Sequence, residues 1–184
     1  RITPDDLKTG EGPKSLFRER WITPSEIARP SYEQIPDPDS LCIAFGAKVG
    51  EGKAQKRIRL EKNCLIAEYA FEGMAEGTFC IEINLAMPSC DGPAGRYRIG
   101  DDIMGGFGQD LTVQNLKSLI LEDDVLGGKL TLRINHGMGC YARPHFSVSQ
   151  SEAGFEKIMQ AVTISLSCRP GELSGSVSIR FEVD

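Results

Sequence analysis

The chain has 184 residues, 40% of them apolar and 26% charged, which suits one domain of somewhat above-average size that can bury a core without disulfides. Its formal net charge of −5 argues against a nucleic-acid module or a binder of anionic membranes, since both usually need a basic surface. The apolar runs are too short to cross a bilayer, so we expect neither a nucleic acid nor a membrane among its partners.

The first 40 residues are predicted to form an irregular, Pro-rich arm or linker (residues 1–40). They hold six prolines, at positions 4, 13, 24, 30, 36 and 38, and the Thr-Pro pairs at residues 3 and 23 would cap only short helices. Trp21, the single tryptophan, lies in this segment. It either pins the arm to the domain or presents an exposed aromatic face to a sugar or a partner domain.

From Leu41 onward, apolar and polar residues alternate with the period of two that is typical of strands. The alternating runs are 41–49, 58–61, 65–72, 79–87 and 130–134. Residues 111–121 fit a strand or a short helix, and the strand is favoured. With the C-terminal part of the chain, this gives roughly nine or ten strands and no convincing long helix. The sequence therefore predicts an all-β fold, an antiparallel two-sheet β-sandwich over residues 41–184.

Residues 144–168 hold the most specific pattern in the chain. Ser149 to Gly154 are mostly small, hydrogen-bonding residues typical of a tight loop between strands, and Gly154 is expected to adopt a φ that other residues resist. Phe155 is expected to anchor this turn in the core. The strand that follows keeps its apolar residues on one parity except at Gln160.

A second turn is predicted at Pro170-Gly171, whose order suits the second and third positions of a type II turn. It would join the strand 158–168 to a closing strand at 173–183 as an antiparallel hairpin. This hairpin is the clearest pairing that the sequence offers.

Two groups of polar residues have the types that hold metals, and each has a simpler interpretation. His136, Cys140 and His145 suit zinc, but a structural zinc site requires four ligands and the fourth is missing. The carboxylate clusters Asp101-Asp102 and Glu122-Asp123-Asp124 lack the spacing of a calcium loop and are expected to be solvated in exposed turns. We therefore predict no metal and no cofactor.

His145 also lies near Ser149, Ser151 and Glu152, a set that would suggest a nucleophile with a base. No Gly-x-Ser-x-Gly elbow is present, and these side chains are expected to bond the backbone of their own loop. We predict no catalytic residue in this chain.

The six cysteines, at positions 42, 64, 80, 90, 140 and 168, are scattered without a CxxC pair. In a domain of this size that is typical of reduced thiols, so we expect a cytoplasmic location. No signal peptide is recognisable, and the chain opens on Arg1 rather than Met, which favours a piece of a longer protein.

Residues 148–160, Val-Ser-Gln-Ser-Glu-x-Gly-Phe-Glu-Lys-x-x-Gln, precede a strand, the turn Pro170-Gly171-Glu172 and a final strand. In this order the motif resembles the C-terminal domain of glycoside hydrolase family 57, which includes α-amylase-like enzymes and 4-α-glucanotransferases. The similarity covers Leu60 to Val183 and is best after Cys140. The chain departs from the family in lacking a tryptophan near the end of the strand before Pro170, and the first 40 residues match nothing in it.

The resemblance implies a β-sandwich of the galactose-mutarotase-like type. It also implies that the catalytic carboxylates lie in a separate N-terminal (β/α) barrel, so no catalytic residue is carried over to this chain. The function expected is that of a non-catalytic C-terminal domain. It would pack on the catalytic barrel of an enzyme that processes α-1,4-glucans by a retaining, two-carboxylate mechanism.

Two alternative functions remain open. The first is a carbohydrate-binding module for α-glucans, whose exposed aromatic faces would be drawn from Trp21, Tyr97, Phe107 and Tyr141. The second is a mutarotase- or epimerase-like enzyme in which His145 and Glu152 would form the reacting pair.

Overall fold

A computed structural model describes residues 2–4, 15–74, 76–87, 94–152, 154–173 and 175–184. The strands are β1 (Arg18–Ile22), β2 (Ile27–Ala28), β3 (Glu33–Ile35), β4 (Cys42–Val49), β5 (Gly52–Glu61), β6 (Cys64–Glu72), β7 (Thr78–Ala86), β8 (Gly95–Ile99), β9 (Asp102–Gly106), β10 (Leu111–Asp123), β11 (Gly128–Ser151), β12 (Gly154–Cys168) and β13 (Val177–Val183). A short 3-10 turn covers Pro170–Glu172. No helix among the described residues has the length and apolar character needed to span a bilayer.

The strands pair in the order β2-β1-β7-β12-β11-β13-β6-β5-β4-β3, and β10, β8 and β9 extend the sheet from β11. The long β11 pairs with different strands along its length. Its first part, Leu130–Ile134, pairs with β13, whereas its second part, Gly139–Ser151, pairs with β12. We call β2, β1, β7 and β12 layer A, and β13, β6, β5, β4 and β3 layer B; β11 passes from layer B to layer A.

The passage between layers is a bulged part of the β10–β11 ladder. The register shifts twice between Val113 and Ser118, and Asn115 has a φ of 56°. A Cβ on Gly137 would collide with the Asn115 side chain, so a larger residue there would require that side chain to move. Bulges bend a strand pair, and this one lets a single pair of strands serve both layers.

The two layers pack face to face. Rings of Tyr69 and Phe71 on β6 lie 5.5 and 4.7 Å from the ring of Phe79 on β7. Because β6 and β7 are not neighbours in the sheet, these contacts cross the interior between the layers. The predicted antiparallel two-sheet β-sandwich is confirmed.

The N-terminal segment contributes strands to the sandwich from residue 18 onward. Strand β1 pairs with β7, and β3 pairs with β4. Trp21 is 3% exposed, and it packs so closely on Gly77 that a Cβ there would lie 2.6 Å from the indole ring. The structure thus places Trp21 in the first of its two predicted roles, as a residue that pins the segment to the domain.

The Thr-Pro pair at residue 23 does not start a helix. Thr23 Oγ1 accepts a hydrogen bond from the Glu26 backbone N–H at 3.1 Å and closes the turn between β1 and β2. These strands were not predicted from the sequence. Strand β1 lacks a clear alternation of apolar and polar residues, because its two buried positions are Glu19, which is charged, and Trp21. The residues that follow the Thr-Pro pair at residue 3, from 5 to 14, lie outside the described part of the chain.

The predicted strand at 111–121 is confirmed as part of β10, but the predicted hairpin of the last two strands is wrong. Strand β12 pairs with β11 and β7, whereas β13 pairs with β11 and β6. Strand β11 therefore lies between β12 and β13, the two strands that were expected to be neighbours. Pro170–Glu172 forms a 3-10 turn that carries the chain from layer A back to layer B.

The β11–β12 pair continues past the rest of layer A as a two-stranded ribbon, residues 146–159. At its base the ladder shifts, because His145 pairs with Ala161 and Phe146 with Met159, which leaves Gln160 as the extra residue of a bulge. Gln160, the polar exception in the predicted apolar pattern of this strand, therefore lies at the bulge. There, in the direction of the ribbon, the core-facing side of β12 changes from even-numbered to odd-numbered residues. Gly154 has a φ of 116°, as predicted. The prediction for Phe155 is wrong, since its side chain is 69% exposed.

Candidate functional site

The outer face of layer A is lined by polar side chains, and we call it the polar face. Two rows of side chains align across β11, β12 and β7: Tyr141, Ser165 and Glu82 in one, and Arg143, Thr163 and Asn84 in the next. The intervening residues of β12, Val162, Ile164 and Leu166, are fully buried in the core. Because side chains alternate along a strand, the members of the two rows point away from the core.

A chain of hydrogen bonds fixes one end of this face. The Asn84 Nδ2 atom donates to the Ser15 carbonyl oxygen at 2.8 Å, so the Asn84 Oδ1 atom faces Thr163 and accepts its hydroxyl proton at 2.6 Å. With that proton committed, the Thr163 oxygen can only accept from His145, whose Nε2 atom is therefore a donor. His145 is held by this network as a hydrogen-bond donor that links β11, β12 and β7.

Glu82 lies at the other end of its row and is only 3% exposed. Its carboxylate is flanked by two cations of β1, with Arg20 Nη2 at 3.2 Å and Arg18 Nη1 at 3.8 Å. A buried carboxylate requires such partners, and the pairs join β1 to β7. These ion pairs give Glu82 a structural role.

Tyr141 is the accessible aromatic residue of the polar face, with 39% of its surface exposed. Its hydroxyl group donates to the Asp110 Oδ2 atom at 2.8 Å, and this hydrogen bond raises the pKa of the Tyr141 hydroxyl. An exposed ring beside a carboxylate and the exposed Arg143 offers both stacking and hydrogen bonding to a hydroxyl-rich ligand.

The other three aromatic candidates do not offer a sugar an accessible ring. Trp21 is 3% exposed, and Tyr97 and Phe107 are fully buried. The rings of Tyr97 and Phe107 contact each other edge-on at 5.1 Å. Stacking on a sugar requires a solvent-facing ring, so the burial of these three side chains corrects the list of candidates to Tyr141.

The residues considered for zinc are not brought together. Cys140 is buried on the core side of β11, where burial raises the pKa of its thiol to about 12. His145 bonds Thr163 on the opposite, polar face. Among the described residues, no three His, Cys, Asp or Glu side chains are grouped so that they could hold a metal ion.

The expectation of solvated acids is wrong for Asp123, which is buried, while Glu122 and Asp124 are 25% and 55% exposed and paired with an arginine. Arg96 bonds Glu122 through Nε at 2.7 Å and Asp124 through Nη1 at 2.8 Å. Asp123 is 2% exposed, and its Oδ1 atom accepts hydrogen bonds from the backbone N–H groups of Val125 and Leu126 at 2.9 and 3.0 Å. The cluster therefore closes the β10–β11 turn. Asp101, in contrast, is solvent-exposed.

The reacting pair of the epimerase alternative is separated by the ribbon. His145 stands at its base, whereas Glu152 is exposed in the turn at its tip. Seven residues of extended chain correspond to roughly 20 Å, too far for a shared substrate atom. Ser149 is exposed near the same tip, and the side chain of Ser151 lies outside the described part.

The fold and the polar face define the chain as an all-β domain of the two-layer sandwich class. Within that class, the family model of the C-terminal domain of α-amylase/4-α-glucanotransferase matches residues 17–178, and the chain belongs to this family. The matched range begins far before Leu60, where the resemblance in the sequence was expected to begin, and it includes β1 to β3.

Solved structures share the fold. A 4-α-glucanotransferase from Thermococcus litoralis is 19% identical with a TM-score of 0.68, and the alignment covers 98% of this chain and 30% of that one. A candidate mutarotase from Salmonella typhimurium is 11% identical with a TM-score of 0.53, covering 84% of this chain and 64% of that one. The Synechocystis protein Slr1438 is 9% identical with a TM-score of 0.52, covering 90% and 73%. A comparison with curated protein sequences finds no match.

Proposed function

We propose that this chain is the non-catalytic C-terminal β-sandwich of an α-1,4-glucan-processing enzyme of glycoside hydrolase family 57, and that it packs on the catalytic (β/α) barrel of its parent protein. The family match over residues 17–178 carries this proposal. The chain spans 30% of the length of the Thermococcus enzyme, which leaves ample room for a catalytic domain in a parent of similar size.

The described polar groups support a structural role for this domain. Glu122 and Asp124 bond Arg96, and Asp123 caps a turn. Glu82 is paired with arginines, and His145 is bonded to Thr163. A retaining glycosidase requires two carboxyl groups about 5–5.5 Å apart on either side of a sugar. In the proposal that pair belongs to the barrel.

The first expected result concerns turnover. The purified chain should release no sugar from maltooligosaccharides and transfer no glucan between them, whereas the full-length parent should do one or the other. Chromatography of the products after long incubation at high protein concentration measures this. Turnover by the chain alone, retained through repurification and absent from a mock preparation, would contradict a non-catalytic role.

A direct contact with α-glucan is a second candidate function, and the exposure of Tyr141 favours it. The ring lies on a sheet face with Asp110 at its hydroxyl group and the polar row of Ser165 beside it. A glucan chain crossing this face would stack on the ring and hydrogen-bond its neighbours.

For this second candidate, adding maltooligosaccharide at millimolar concentration should shift backbone NMR signals of the polar face, those of Ser165 and Thr163 among them. The Tyr141→Ala variant should lose the shifts. The matched control is Phe155→Ala, which removes a different exposed ring outside the polar face and should keep them. Unchanged spectra of the unmodified chain would eliminate the glucan contact.

We also propose a cytoplasmic location. The described cysteines, Cys42, Cys64, Cys80, Cys140 and Cys168, are all free thiols, which supports a reducing compartment; Cys90 lies outside the described residues. The net charge of −5 supports a protein without nucleic-acid or membrane partners.

A further inference from the structure

The side of layer A that faces the core continues onto the ribbon, which extends beyond the end of the sandwich. On β11, Ala142 faces the core, and Phe146 and Val148 follow it at even spacing on the same side. The register places Phe146 opposite Met159, which is 4% exposed, and Phe155 opposite Gln150. One side of the ribbon therefore presents Phe146, Val148 and Phe155, and we call this side the ribbon underside.

Within the described residues, the strands of the ribbon pair only with each other. The ladder from β12 to β7 ends at Ala161, and the ladder from β11 to β10 ends at Ala142. Phe155 is 69% exposed and Phe146 is 36% exposed. A two-stranded hairpin is only marginally stable in water by itself. A partner that covers the aromatic side chains of the ribbon underside would therefore stabilise the ribbon.

An apolar groove opens between the layers beside the base of the ribbon. It is lined by Leu85 of layer A and by Leu65 and Phe181 of layer B. Leu85 pairs with Val162, close to the residue where the ribbon leaves the sheet. At the rim of the groove, Leu60 is 73% exposed and Val183 is 58% exposed.

Through Leu85, the groove lies near the base of the ribbon, so the groove and the ribbon underside lie toward the same end of the sandwich. Single exposed apolar side chains are ordinary, but a contiguous patch marks a site of association. Lys157, which the register places opposite Val148 on this same side of the ribbon, lies 4.7 Å from the centre of the Phe146 ring. A surface of this kind suits a permanent partner more than a transient, charged one.

We propose that the ribbon underside and the adjoining groove are the docking surface for the catalytic domain of the same parent protein. The inference rests on the proposed function, because family membership is what supplies a partner domain in the same polypeptide. Beyond the proposed function, the inference specifies which surface of this chain forms the interface. Covalent linkage keeps that partner at high local concentration, which favours it over a second copy of this chain.

Hydroxyl-radical footprinting with mass spectrometry tests the docking surface on two samples, this chain alone and the full-length parent. Oxidation of Phe155 and Leu60 should fall several-fold in the parent. The internal control is Ile27, which is 64% exposed on β2. It pairs with Ile22, which in turn pairs with Thr78 at the opposite end of β7 from Leu85. Its oxidation should be equal in both samples.

Each outcome has one meaning. Equal oxidation of Phe155 and Leu60 in both samples would overturn the docking surface, even if the parent converts maltooligosaccharides. Protection in a parent without glucan turnover would leave the docking surface standing and reject the proposed function. Protection that appears in the isolated chain as its concentration rises would assign the surface to a second copy and overturn the proposal.

A variant provides an independent check. Phe155→Ser should lower the melting temperature of the sandwich in the full-length parent and leave that of the isolated chain nearly unchanged, because the side chain is exposed there. Ile27→Ser should have little effect in either protein. Equal melting temperatures of the parent with and without Phe155→Ser would contradict the interface.

Discussion

Replacement of Glu19 by alanine is expected to lower the free energy of unfolding by about 3–5 kcal/mol, the cost of removing one partner of a buried ion pair. The Glu19 Oε1 atom accepts hydrogen bonds from Lys56 Nζ at 2.7 Å and from the Tyr69 hydroxyl group at 2.8 Å. The side chains of Glu19 and Lys56 are only 6% and 11% exposed. Without the carboxylate, the ammonium group would be left buried and without its counter-charge.

The surroundings of Lys56 explain why water would not compensate for the loss. The ammonium nitrogen lies 5.2 Å from the ring centres of Phe17 and Tyr32 and 5.9 Å from that of Phe45. Three aromatic rings stabilise a cation but leave little room for solvent. Burial and the charge of Glu19 raise the pKa of the Tyr69 hydroxyl well above its usual value, so this group stays a hydrogen-bond donor at any ordinary pH.

Denaturant unfolding of the isolated chain measures the effect of Glu19→Ala. Two variants calibrate it. Tyr69→Phe removes one hydrogen bond and keeps the ion pair, at an expected cost of about 1 kcal/mol. Arg133→Ala removes the exposed ion pair with Glu182 and should give no resolvable change, since Arg133 is 59% exposed. A Glu19→Ala chain as stable as the unmodified one would show that β1 does not depend on this link.

Phe79→Ala is expected to cost about 3–5 kcal/mol, the range for truncating a buried aromatic residue. Phe79 is fully buried and contacts the rings of Tyr69 and Phe71 in the facing layer. Its removal would leave a cavity between two rigid sheets, which can collapse only partly.

The matched control for Phe79→Ala is the same substitution at Phe155, whose side chain is 69% exposed. In the isolated chain Phe155→Ala should change the unfolding free energy little, so the difference between the two variants isolates the effect of burial. Calorimetry or urea titration provides both values. Similar losses at the two positions would be incompatible with the face-to-face packing of the layers.

Local alternation was sufficient to predict the strands and the sandwich. Runs such as 79–87 place Phe79, Ile81 and Ile83 on one side, and all three are fully buried. A period of two is a property of the extended backbone and needs no tertiary information. Gly154 was predictable for a similar reason, because its positive φ is a local requirement of the turn.

The pairing of strands was not predictable in the same way. The sequence at Pro170-Gly171 fits a turn, but a turn between neighbours and a turn between layers use the same residues. Which of the two forms here depends on β11, whose later residues pair with β12 and whose earlier residues pair with β13. That distinction rests on contacts between distant parts of the chain.

The prediction of the aromatic site was wrong for most of its residues because their burial could not be predicted from the sequence. Tyr97 and Phe107 flank a glycine- and aspartate-rich stretch, which suggests an exposed loop, yet their rings contact each other inside the fold. Nothing local distinguishes them from Tyr141. What separates Tyr141 is its position on the outer side of β11, one residue out of phase with the buried Cys140 and Ala142.

The strand that both layers share has a consequence for how the domain comes apart. Because Leu130–Ile134 and Gly139–Ser151 are parts of one strand, neither layer can lose its hydrogen-bonding partner there without disturbing the other. From the pairings of the described strands, we therefore expect that neither layer melts while the other stays folded. Such a domain is expected to unfold in a single cooperative transition.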